Sequence, residues 1–137
     1  MDFEKRTAFI QNLPVFKKAE EILQIVQTLR EVVDPEKDEM DIVEFMLSNA
    51  ILIPSKIMNA EGGDLYSLRI DNAVLIKLAA VELKGQALLL KIEGLCDEKY
   101  VTLLRNTIDE FRVDFLDWVA GFDKDNDIQD AWNFLIP

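Results

Sequence analysis

Val15, Ala19, Ile22, Val26, Leu29 and Val33 follow one another at steps of 4-3-4-3-4, and Val43, Met46, Ala50, Ile53, Ile57 and Ala60 at 3-4-3-4-3. Val101, Leu104, Ile108, Phe111, Phe115, Trp118 and Phe122 alternate in the same way. Such spacing holds apolar side chains on one face of a helix. It predicts helices over residues 15–33, 37–61 and 98–122. A fourth, over 64–93, has no proline and is apolar nearly everywhere except for Lys77, Lys84 and Lys91, which recur every seven residues. A short leading helix over residues 2–11 is expected before Asn12-Leu13-Pro14, with Asp2 as its cap. Phe3, Phe9 and Ile10 would need cover there.

The punctuation between these stretches is sparse. Pro14 suits a first helical turn, where its missing N–H would be unpaired anyway. Asp34-Pro35 ends the first long helix. Pro54 falls inside the second, but the apolar stripe keeps phase across it, which predicts one kinked helix and not two. Gly62-Gly63 is expected to supply a left-handed C-terminal residue, with Asp64 capping the helix that follows. Gly94 and Asp97 stop that helix and start the next. Helices joined by turns this short lie antiparallel. The expected fold is therefore all-α: an antiparallel up-down-up-down four-helix bundle forming a single domain over residues 1–137. It has a short N-terminal helical lead and a docked C-terminal tail, because Trp132, Phe134, Leu135 and Ile136 would be costly to leave in water.

The fourth stretch holds more than one pattern. With the three lysines taken as its outermost line, a rotation of about 100° per residue places Leu68, Asn72, Leu75, Ala79, Glu82, Gln86 and Leu89 innermost. Asn72, Glu82 and Gln86 would then form a buried polar layer needing partners, with Arg105 or Arg112 as a counter-charge for Glu82. The layer serves to fix register, or lies on a face that bundle geometry leaves partly exposed, or forms a carboxylate metal or small-molecule site. The flanks, among them Ile70, Val74, Val81 and Leu88, carry more apolar surface than one bundle can bury. That predicts a subunit interface, to which Trp132 and Phe134 could contribute.

Composition narrows the chemistry. The chain has 137 residues and a net charge of −11, with 15 basic and 26 acidic residues. That field argues against nucleic acid and anionic membrane as partners. No apolar run approaches a membrane span, and the amino terminus has no secretory pattern, so a cytoplasmic location is expected. Cys96 is the single cysteine and histidine is absent, which removes imidazole-based catalysis and the Glu-x-x-His di-iron motif. No catalytic residue, cofactor or metal is expected. Asp123-x-Asp125-x-Asp127 opens like a calcium loop, but Ile128 and Phe134 occupy the positions that need glycine and glutamate, so a solvated acidic linker is expected.

Ile53-Pro54-Ser55-Lys56-Ile57 followed by Ala60-Glu61-Gly62, and then Ala79-Ala80-Val81-Glu82-Leu83, resembles a signature of the bacterial ribosomal intervening-sequence proteins. The similarity spans residues 48–122. It implies a four-helix bundle, often assembled into ring-like oligomers, with no known enzymatic activity. A relative in retroelements is a basic, nucleic-acid-associated accessory factor. Here Asn59 adds one residue to the motif, and the basic residues expected after the double glycine are largely missing. The expected function is thus a non-enzymatic, self-associating interaction or scaffolding module. A nucleic-acid accessory role and ligand or metal binding in the bundle interior are the alternatives.

Overall fold

The computed structural model describes residues 2–128 and 131–132, and all of its regular structure is helical: α1 (Phe3–Gln11), α2 (Pro14–Val32), α3 (Ile42–Glu61), α4 (Tyr66–Ile92) and α5 (Glu98–Ala120). The four long helices form a square in which α2 and α4 sit diagonally, each packed on both α3 and α5. The core is built from the repeating stripes. Val15, Ala19, Ile22, Val26 and Leu29 of α2, all six stripe residues of α3, and Val101, Leu104, Ile108 and Phe111 of α5 are buried. Lys18 links α2 to α5 through Glu110 at 2.6 Å and also pairs with Glu21.

Helix α3 runs unbroken through Pro54. Its start differs from the expectation, because residues 37–41 form turns. The Asp38 carboxylate, 6% exposed, accepts from the backbone N–H groups of Ile42 at 2.9 Å and Val43 at 3.0 Å, so the first turn cannot begin earlier. The Gly62-Gly63 turn does not supply the left-handed residue expected of it, whereas Gly94 stops its helix as expected. Gly62 ends α3 in a right-handed conformation, and a Cβ there would meet the Asn59 carbonyl oxygen at 3.2 Å. The left-handed glycine is Gly94, at φ 65°, where the Leu95 N–H reaches back to the Leu90 carbonyl in the closing pattern typical of a helix C-terminus.

The cap of α4 comes from far along the chain. Asp64 does not cap it. Instead the Tyr66 N–H donates to the Asn126 carbonyl at 2.8 Å, and Asp127 accepts from the Ser67 hydroxyl at 2.7 Å and from the Ser67 N–H at 3.3 Å. The Ser67 hydroxyl bond, with backbone donors behind it, holds the Asp127 carboxyl below the usual carboxylate range. The acidic segment after α5 is exposed at Asp123, Lys124, Asp125 and Asp127, and Asn126 and Asp127 also tether it to the start of α4. Within the expected docked tail, Trp132 is 85% exposed, and Phe134, Leu135 and Ile136 lie outside the described residues. On α1, Ile10 is buried while Phe3 and Phe9 remain exposed.

Gly85 lies inside α4 on its exposed side, with nothing within 4 Å of where a Cβ would stand. In a single, unassociated chain Gly85→Ala should therefore stabilise the fold by about 0.5–1 kcal/mol through helix propensity alone. A urea midpoint that fails to rise would show that the glycine backbone serves another contact.

Candidate interaction surface

The side of α4 that enters the core is Ala73, Ile76, Ala80, Leu83, Ala87 and Leu90, spaced 3-4-3-4-3, with Ala79 beside it. The alanines let α4 lie close to α3, its most extensive neighbour. This corrects the assignment that placed Asn72, Glu82 and Gln86 innermost. Glu82 is exposed, and among the described residues it has no ion pair, so neither Arg105 nor Arg112 serves as its counter-charge. Asn72 is half-buried and donates to the Leu68 carbonyl of its own helix at 2.9 Å. Gln86 is half-buried and accepts from Asn49 of α3 at 3.1 Å, the one interhelical bond made by the three. They form no common layer.

Lys84 and Lys91 do not point straight away from the core but reach α5, while Lys77, on the same line of the helix, is exposed. Lys84 pairs with Asp109 of α5, and that bond pulls the Asp109 carboxyl below its ordinary range. Lys91 pairs with Glu98 at 2.7 Å. Arg105 donates to the Lys84 carbonyl at 2.8 Å, tying the two helices further.

What faces outward is apolar. Val74, Leu75, Leu78, Val81, Leu88 and Ile92 are between 41% and 70% exposed. Of the six residues expected at an interface, Val74, Val81 and Leu88 belong to this face. Ile70 is half-buried, Trp132 is exposed, and Phe134 is outside the described residues. Val74, Leu78, Val81, Gly85, Leu88 and Ile92 recur at 4-3-4-3-4, a second seam as regular as the buried one and bulkier in side chain. The missed signal was this second heptad, hidden because both seams run through a single apolar helix.

Two other places were candidates for chemistry. An open groove of about 650 Å³ at the α3–α4 turn is lined by Met58, Asn59, Gly63, Leu68, Arg69 and Asn72. Of its two charged side chains, Arg69 is already engaged with Glu61 at 2.6 Å, and the other is the exposed carboxylate of Asp64. Cys96 is half-buried, and burial, reinforced by Asp97, pushes its thiol pKa up, which keeps it protonated and a poor nucleophile. Among the described residues no group of three or more Cys, Asp or Glu side chains is placed to hold a metal ion, and no helix is long and apolar enough to cross a membrane.

Fold and surface together define an all-helical bundle with one outward helix face that is apolar and heptad-patterned. No family model matches the chain, and no curated protein matches it.

Proposed function

We propose that this protein is a non-enzymatic helical bundle that self-associates and works as an interaction or scaffolding module. The observation that carries this reading is the outward face of α4. Val74, Leu78, Val81, Leu88 and Ile92 occupy it at coiled-coil spacing, while alanines alternate with Ile76, Leu83 and Leu90 on the core side of the same helix. Scattered exposed apolar residues are ordinary on a monomer; a continuous stripe of them along a 27-residue helix is not. The absence of histidine and the pairing of Arg69, the groove's cation, with Glu61 support the non-enzymatic part. Two of the three lysines on α4 are already paired with carboxylates, which leaves little basic surface there for phosphate. Light scattering at micromolar concentration tests the reading. A mass that is a multiple of 15.7 kDa is expected, and a strictly monomeric mass would overturn it.

A further inference from the structure

We infer that α4 pairs in parallel and in register with α4 of a second copy of this chain, along Val74, Leu78, Val81, Gly85, Leu88 and Ile92. The inference rests on the self-association proposed above and specifies its geometry. Three properties of the face select this occupant.

The first is the repeat. Leu78, Gly85 and Ile92 fall at one core position of a heptad and Val74, Val81 and Leu88 at the other, which is the pattern that pairs helices through interlocking side chains. Gly85 sits mid-seam with open space above it, so two backbones can approach closely there. Asp71 occupies the next seam position toward the N-terminus, and its charge ends the apolar run at Val74.

The second is area. The exposed parts of Val74, Leu75, Leu78, Val81, Leu88 and Ile92 amount to roughly 600 Å², against about 800 Å² per partner in a standard-sized interface. Flanking contacts readily supply the remainder.

The third is charge, and it fixes direction. One flank of the seam carries Lys77, Lys84 and Lys91; the other carries Leu75, Glu82 and Leu89. In a parallel pair these unlike flanks meet, each residue of the first facing the partner residue five places further on. Lys77 then faces Glu82 of the partner subunit, twice by symmetry, and the stem of Lys84 covers Leu89 of the partner subunit. An antiparallel pair would bring lysine flank against lysine flank. Lys84 and Lys91 have ion-pair partners within their own chain, whereas among the described residues Lys77 and Glu82 have none. The two flank charges left over are the two that parallel pairing brings together.

The test uses the full chain. Val81→Asp, at a position 63% exposed, should give a monomer with unchanged far-UV circular dichroism. Lys77→Glu should weaken the dimer about tenfold, and Lys77→Glu combined with Glu82→Lys should restore it to within about threefold of the starting affinity. In a Cys96→Ser background, spin labels at Asp71→Cys or at Glu93→Cys should each lie close to the same label on the second copy. Antiparallel pairing would instead separate at least one of these like pairs by about 33 Å or more, the length of helix between the two labelled positions. A monomeric starting protein would remove the proposed function and this inference with it. An oligomer that ignores Val81→Asp, tightens with Lys77→Glu, or shows widely separated like labels would overturn the inference and leave self-association standing.

Discussion

Glu61→Ala should cost about 2–3 kcal/mol of folding stability, more than its place at a helix end suggests. Glu61 Oε1 accepts from Arg69 Nη2 at 2.6 Å and from the Trp118 indole N–H at 2.8 Å, joining α3, α4 and α5 at one point. The Arg69 and Glu61 side chains are 17% and 13% exposed, and the Arg69 guanidinium carbon stands 4.1 Å from the centre of the Phe122 ring. Removing the carboxylate leaves a largely desolvated cation facing an aromatic surface, together with an indole donor that has lost its acceptor. The partial exposure keeps the expected cost at or below the range of about 3–5 kcal/mol for breaking a fully buried pair. Glu61→Gln keeps an acceptor for Trp118 but no charge, so it should cost about half as much. Arg69→Met added to Glu61→Ala should recover about 1 kcal/mol, since the buried Arg69 Nε already lacks a partner among the described residues. Urea unfolding checks the series. A loss below 1 kcal/mol for Glu61→Ala would show that water replaces the carboxylate there.

The same cluster shows why some features were visible in the sequence and others were not. The stripes of α2, α3 and α5 could be recognised because each has one apolar seam and charged residues elsewhere; burial then allows a single phase. In α4, two seams compete, and spacing alone cannot decide which faces inward. The lysines were a misleading guide. A lysine stem is long enough to lie along a flank and bring its ammonium to a neighbouring helix, as Lys84 does to Asp109, so a lysine line marks a boundary and not the outermost edge. The better discriminator was side-chain size. Ala73, Ala80 and Ala87 permit close approach to α3, whereas Val74, Val81 and Leu88 do not. The cap of α4 was invisible for a different reason. Asp64 is adjacent in sequence and of the right type, but Asn126 and Asp127 reach the same N–H groups from beyond α5. Local patterns do not carry such contacts. The Glu61–Arg69–Trp118 junction joins residues from three helices, and nothing in the spacing of any one of them announces it.

Asp38→Ala should destabilise the bundle by about 2–3 kcal/mol, although the residue lies in a loop. Both carboxylate oxygens are used, Oδ1 on the Ile42 N–H and Oδ2 on the Val43 N–H, and these donors would otherwise be orphaned at the start of α3. A typical capping residue contributes about 1 kcal/mol through one such bond. Here two bonds to a charged acceptor, at a residue 6% exposed, add to the interaction of a carboxylate with the helix N-terminus. The conformation next to it raises the stakes. Asp41, at φ 53° and ψ 39°, is the one non-glycine residue with positive φ among the described residues, at a cost of about 1–2 kcal/mol. Only a firm anchor at Ile42 and Val43 holds that turn in place. Asp38→Asn keeps one acceptor oxygen and should lose roughly half as much as alanine. Hydrogen exchange provides a local readout: the Ile42 and Val43 amides should lose protection in Asp38→Ala before the centre of α3 does. Unchanged protection at those two amides would mean that backbone turns alone begin the helix.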